Sequence, residues 1–318
     1  MKERNSGKFQ RPGGKLKPGG EFRSPREHQN QEHMNIQWFP GHMAKTRRMI
    51  RENLRLVDVV AELRDARIPY ASANPEIKRL LGNKKRLVIL NKSDMADPAA
   101  TRAWLEYFEK QQIAALDMDC RSGKGVARFV PAVEKLLSEE LERRRAKGII
   151  GSLRVMVVGV PNVGKSSFIN RMASSKRTKV EDRPGVTRGK QWVKVSDGME
   201  LLDMPGVLWP KFEDPVVGEH LAFTGAVRDQ IVDTEALASR LLERLAADYP
   251  DLLAARYSLT AEEMAQPGHE MLTLIGKKRG MLLPGGEINT ERASIAVLDE
   301  FRGGLIGRIT LELPKDGE

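Results

Sequence analysis

Leu153-Arg-Val-Met-Val-Val-Gly159-Val-Pro-Asn162-Val163-Gly164-Lys165-Ser166-Ser167 decides the fold. An apolar run ends at Gly159, a glycine-bounded loop follows, and a helical pattern runs from Ser166 to about Ala173. Strand, Gly-x-x-x-x-Gly-Lys-Ser loop and helix in that order make a phosphate loop. The glycines let the successive N–H groups of Asn162, Val163, Gly164, Lys165, Ser166 and Ser167 curl round an anion, and the helix start adds its partial positive charge. Lys165 is placed to reach β- and γ-phosphates, and the Ser166 hydroxyl to ligate Mg2+.

Two downstream turns take their meaning from this loop. Asp203-Met-Pro-Gly206 closes the run Glu200-Leu-Leu, 38 residues beyond Lys165. Asp203 there would hold Mg2+, usually through water, and the Gly206 N–H could sense a γ-phosphate. Arg183-Pro-Gly-Val-Thr187 lies between them, where the Thr187 hydroxyl could join Mg2+ and order its loop in the triphosphate state alone. Taken singly, either sequence reads as an ordinary turn.

Upstream, Asn91-Lys92-Ser93-Asp94 follows the apolar strand Arg86–Leu90. An Asp94 carboxylate can accept both the N1–H and the exocyclic amine of guanine; adenine would leave it buried and unpaired. Asn91 would buttress the loop and Lys92 would pack along the base. Together the motifs specify a GTP site, with Asn91-Lys-Ser-Asp94 preceding the phosphate loop instead of following it. The domain reads as if cut and rejoined, its elements keeping their places with different chain ends.

The rest of the chain alternates β and α signals. Strands are expected near 57–64, 153–158, 191–195 and 199–203, and helices near 43–56, 74–82, 98–112 and 125–147. The fold class is α/β, a permuted phosphate-loop domain with a largely parallel sheet. Past residue 212 the strand signal fades and helical periodicity appears at 234–247, 269–278 and 290–302, predicting a smaller helical domain over 213–318. Residues 1–34 hold eight Lys/Arg, four Glu, five Gly and three Pro with few apolar groups, so they read as a disordered basic extension. The GTPase domain spans 35–212.

Composition limits the alternatives. The 318 residues carry 53 Lys+Arg against 43 Asp+Glu, a net charge of +10, which favours a polyanionic partner. The single cysteine, Cys120, leaves no partner for an internal disulfide and excludes zinc sites built on several thiolates. No apolar run approaches membrane-spanning length, and the first residues resemble neither a secretory signal nor a transit peptide, so the chain reads as cytoplasmic.

These residues resemble the ribosome biogenesis GTPase A group of circularly permuted GTPases. The likeness runs from about residue 35 to 318 through Trp38-Phe-Pro-Gly-His42-Met-Ala-Lys, Asp65-Ala-Arg-Ile-Pro, the motifs above, Asp203-Met-Pro-Gly-Val-Leu-Trp-Pro and Ile275-Gly-Lys-Lys-Arg-Gly. It implies a GTPase acting in late assembly of the large ribosomal subunit and stimulated by that particle. It also implies a helical domain on ribosomal RNA. Counting back from Gly123-Lys-Gly125 puts the second base-contacting loop at Asp119-Cys120, where the family pattern uses backbone N–H groups.

The position that carries a water-orienting Gln in common GTPases is Val207, which cannot hydrogen-bond. The resemblance points to His42 for that role. It also points to Asn162 as a ligand for K+, which would supply charge where others use an arginine finger. The loop 174–190, with Lys176, Arg177, Lys179, Arg183, Arg188 and Lys190 against Glu181 and Asp182, reads as an RNA-facing switch. Lys277-Lys-Arg279 is a phosphate contact within a region that is not otherwise basic. Val207 keeps open a second reading, a nucleotide-gated RNA-binding scaffold with negligible turnover.

Overall fold

The computed structural model describes residues 43–149, 151–174, 192–196, 198–209 and 212–314. The basic extension 1–34, His42, Thr187 and all of the charged loop beyond Ser174 lie outside these residues.

The sheet forms from runs apolar enough to be covered on both faces. β1 (Val59–Asp65) buries all seven of its residues, as a parallel strand between helical layers must. Its charges are paired: Glu62 receives Arg64 at 3.1 Å and Arg86 at 3.0 Å. β2 (Arg86–Asn91), β3 (Ala114–Asp117) and β4 (Leu153–Gly159) extend the sheet in parallel. β5 (Trp192–Ser196) pairs antiparallel with β6 (Met199–Asp203), itself parallel to β4. The order across the sheet is β3-β2-β1-β4-β6-β5. The phosphate-loop strand is therefore central although fourth in the chain, the geometry that the reversed motif order requires. Register pairs Leu63 with Gly159 and Asp65 with Asn91, so the loops after β1, β2 and β4 open on one edge.

The helices start where the caps dictate. α1 spans Met43–Leu54. Asn74 and Asp97 accept N–H bonds at the starts of α2 (Pro75–Leu81) and α3 (Pro98–Lys110), each with proline in the first turn, where its missing N–H costs nothing. The single helix expected over 125–147 is instead a 3-10 turn at Val126–Arg128 followed by α4 (Phe129–Leu136) and α5 (Ser138–Ala146). Leu137 is fully buried between them, and α5 itself buries nothing. Anchoring Leu137 bends the chain, and the charged continuation runs on as a separate helix. α6 (Lys165–Ser174) follows the phosphate loop.

Beyond the sheet come α7 (Pro215–Phe223), α8 (Thr234–Asp248), α9 (Pro250–Tyr257), α10 (Ala261–Met264), α11 (Gly268–Lys278) and α12 (Thr290–Arg302). One hydrophobic cluster runs from Val155, Val157 and Phe168 into Leu221, Leu241, Leu245 and Phe301, joining sheet and helices. A second, with Ile50, Val60, Met156, Leu202 and Val207, fills the opposite face under α1 and α2. After α12 the chain returns to the sheet: Ile309 N–H donates to Met95 O at 2.9 Å, Leu311 N–H to Arg67 O at 2.8 Å, and Trp104 Nε1–H to Glu312 O at 2.9 Å. Among the described residues no helix is long and apolar enough to cross a membrane.

Candidate nucleotide-binding site

The end of β4 turns into the phosphate loop, whose lysine bonds the loop's own carbonyls. Lys165 Nζ donates to Gly159 O at 3.1 Å and Val160 O at 2.9 Å. Burial pushes its ammonium down to about 8, with Asp203 pulling the other way. Ser166 and Ser167 open the helix with exposed side chains. The Asp203–Gly206 turn rests directly on this loop: a Cβ on Gly206 would lie 2.9 Å from Lys165 Nζ and from Pro161 Cα. Val207 N–H donates to Gly159 O at 3.2 Å, fixing the same contact.

Asp203 ends β6 half-buried, and burial raises its carboxyl while Lys165 opposes the shift. Asp203 and Ser166 fit Mg2+: a partly desolvated carboxylate and an exposed hydroxyl flank the loop that would hold the phosphates. Among the described residues no group of three or more His, Cys, Asp or Glu could hold a metal by itself. A cation here would share its ligands with phosphate and water.

The guanine loop is locked to the phosphate loop by one side chain. Asn91 Nδ2 donates to Val163 O at 2.8 Å, and its Oδ1 accepts the Cys120 N–H at 3.2 Å. Gly164 makes room for it. With φ at +99°, an added Cβ there would collide with the Asn91 amide. Ser93 N–H donates to Met118 O at 3.2 Å. Asp94 Oδ1 is enclosed without a hydrogen-bond partner among the described residues, and Oδ2 stands 3.5 Å from Arg121 Nη2. An enclosed carboxylate oxygen lacking donors is costly, and guanine offers the donors it lacks. Lys92, at φ +61°, directs Nζ to Asp65 Oδ2 at 3.0 Å.

The Asp119-Cys120 loop is closed by its own hydrogen bonds. Its backbone N–H groups are engaged inside the turn: Asp119 N–H with Lys124 O at 2.9 Å and Cys120 N–H with Asn91. The Asp119 carboxylate accepts Arg121 N–H at 2.8 Å and Ser122 N–H at 3.1 Å. Burial works to raise this carboxyl, but bonds from Ser122 and Arg121 outweigh it and hold it low. An aspartate there builds an Asx turn that shapes the loop, and offers the base neither a free amide nor a free carboxylate. Cys120 is buried, which with the Asp119 charge pushes its thiol up to about 12, so it stays protonated.

Asn162, in the left-handed conformation at φ +57°, donates Nδ2–H to Gly225 O at 2.5 Å. This ties the phosphate loop to the end of α7. A cavity of about 590 Å3 opens between Asn162, Lys92, Gly225, Arg228, Gln230 and Arg302, so the helical region walls the space beside the phosphate and guanine loops. Val207 is buried in the second core cluster, and its carbonyl accepts from Asn74 Nδ2 at 3.1 Å. It presents nothing to a water. The Lys277-Lys-Arg279 reading is revised: Arg279 pairs with Glu300 and Lys278 with Glu263 at 2.6 Å, so two of three charges are spent internally.

Two supports escaped the sequence reading. Asp65, which entered there within a longer motif alone, holds both Lys92 and Arg67. Gly225 acts through a carbonyl, 63 residues from Asn162, and no pattern announces it.

Residues 154–248 match a family model described as 50S ribosome-binding GTPase. The ribosome biogenesis GTPase A of Priestia megaterium is 48% identical over 287 residues, covering 90% of this chain and 99% of the relative. Two solved structures are similar throughout at 27% identity. GDP-bound TM YlqF gives a TM-score of 0.62 over 84% of this chain and 100% of that one. GNP-bound YlqF from T. maritima gives 0.60 over 86% and 99%.

Proposed function

The chain belongs to the ribosome biogenesis GTPase A family, and from that premise we propose a GTP-hydrolysing switch in late assembly of the large ribosomal subunit. That it is a GTP hydrolase and that its role is in ribosome assembly follow from the family. The large-subunit precursor and its RNA as partners, stimulation by that particle and a cytoplasmic setting are the proposal. So is the division into a GTPase domain (35–212) and an RNA-contacting helical domain (213–318).

One observation carries the nucleotide assignment. Asn91 bonds both the phosphate loop and the second base loop while Asp94, three residues on, keeps an enclosed oxygen without a donor. In this reading Asp94 accepts the N1–H and exocyclic amine of guanine, and Lys92 packs along the base. Backbone N–H groups of residues 162–167 and the Lys165 ammonium take the phosphates. Ser166 and Asp203 would hold Mg2+, which when bound neutralises charge on the β- and γ-phosphates. Gly206 packs against Lys165 and Pro161, and its N–H is assigned to a γ-phosphate on the motif. Thr187 and His42, both outside the described residues, are assigned to the γ-phosphate side and to orienting water on the family resemblance. K+ is assigned to Asn162: with Nδ2 donated to Gly225, its Oδ1 is the atom left for a cation.

The buried Val207 favours a second reading, an RNA-binding scaffold that exchanges nucleotide with negligible turnover. Steady-state GTP hydrolysis in K+ and in Na+, with and without large subunits, separates the two. The switch reading expects a rise with large subunits that is greater in K+. Turnover that neither subunits nor cation raise would replace it with the scaffold.

A further inference from the structure

We infer that Arg308, on the segment returning from α12, is a positioning residue for guanine recognition. The inference rests on the assignment of Asp94 to the base. Arg308 Nη2 donates to Ser93 O at 2.9 Å and Nε to Ala96 O at 3.0 Å, so one guanidinium spans the carbonyls on either side of Asp94. The neighbouring bonds follow the same path. Ile309 N–H donates to Met95 O at 2.9 Å, and Asp97 N–H donates to Thr310 Oγ1 at 3.0 Å. Four bonds from three consecutive residues therefore hold the stretch from Ser93 to Asp97.

The stretch is otherwise held by Ser93 N–H on Met118 O at 3.2 Å, Met95 N–H on Lys92 O at 3.0 Å and the buried Ala96, none of which reaches both sides of Asp94. Lys92 already departs from the strand at φ +61°, and regular structure resumes only at Pro98. A carboxylate that must meet two guanine donors at once needs its backbone fixed to a fraction of an ångström. A planar fork with two parallel N–H directions suits that task better than an ammonium. Arg308 is itself exposed, so removing it takes nothing from the core. Because the segment continues α12, the guanine loop is tied to the helical region 215 residues away in sequence.

The test compares GDP with IDP, which lacks only the exocyclic amine. Dissociation constants and dissociation rates are measured on the full chain for wild type, Arg308→Ala and Arg308→Lys. Wild type is expected to prefer GDP. In Arg308→Ala the GDP/IDP preference should fall about fivefold, the equivalent of one lost hydrogen bond, with faster GDP release. Arg308→Lys should recover part of it. A change confined to general stability would weaken both nucleotides alike. An unchanged preference in Arg308→Ala, or an equal loss for both nucleotides, overturns the inference. A wild type that does not prefer GDP over IDP and ADP overturns the guanine assignment itself.

Discussion

Lys165 is where the site's electrostatics are most exposed to experiment. Its ammonium is buried against its own loop carbonyls, and burial lowers it to about 8 from an ordinary 10.5. Phosphates bind the charged form. As pH rises through 8 the free protein loses that proton, so binding must restore it and affinity falls. GDP affinity should drop about tenfold between pH 7 and pH 9, with proton uptake on binding visible by calorimetry in buffers of different ionisation enthalpy. A flat profile over that range would mean that Lys165 does not face the phosphates. Asn91 and Gly164 work at the same scale: the glycine is required because the asparagine occupies the space a Cβ would take.

Between elements, the connection that matters runs through Asp65 at the end of β1. Its carboxylate accepts Arg67 Nη2 at 2.8 Å and Lys92 Nζ at 3.0 Å, and Arg67 Nη1 continues to Phe301 O at 3.0 Å at the end of α12. Burial alone would raise the Asp65 carboxyl, but Arg67 and Lys92 outweigh it and hold it well below the carboxylate range. A depressed folded-state pKa contributes stability above the unfolded value, near 3.8, and loses it as pH falls further. Asp65→Asn should cost roughly 3–5 kcal/mol at neutral pH, because it leaves Arg67 buried without its counter-charge. Thermal melts from pH 7 to 3 should show wild type losing its advantage below about pH 4, while the variant stays flatter. Equal melts at neutral pH would contradict this account of the pair.

For the molecule as a whole, the sheet and its loops were legible because local chemistry encodes them. Glycines, Lys165 and the apolar run of β4 needed no tertiary information, and the reversed motif order already announced a permuted domain. What stayed hidden acts across long separations or through backbone atoms. β3 is a partly exposed strand of four residues without alternation, and α7 and α9 lack the periodicity that marked α8 and α12. The break at Leu137 depends on a buried anchor that helix propensity does not register. The Asx turn of the second base loop was not legible, because Asp119 spends its carboxylate on its own backbone. The return of residues 308–312 to the guanine loop could not be seen without the fold. Among the described residues, that return and the Asn162–Gly225 bond bring the helical region onto the guanine and phosphate loops, and the Asp65–Arg67 pair brings it onto the end of β1. If the helical region meets RNA as proposed, these contacts join that surface to the nucleotide loops. The most direct test is pelleting of the full chain with purified large and small subunits, in a non-hydrolysable GTP analogue and in GDP. Retention on large subunits with the analogue and loss with GDP is expected; equal retention in both nucleotides, or retention on small subunits instead, would refute the switch.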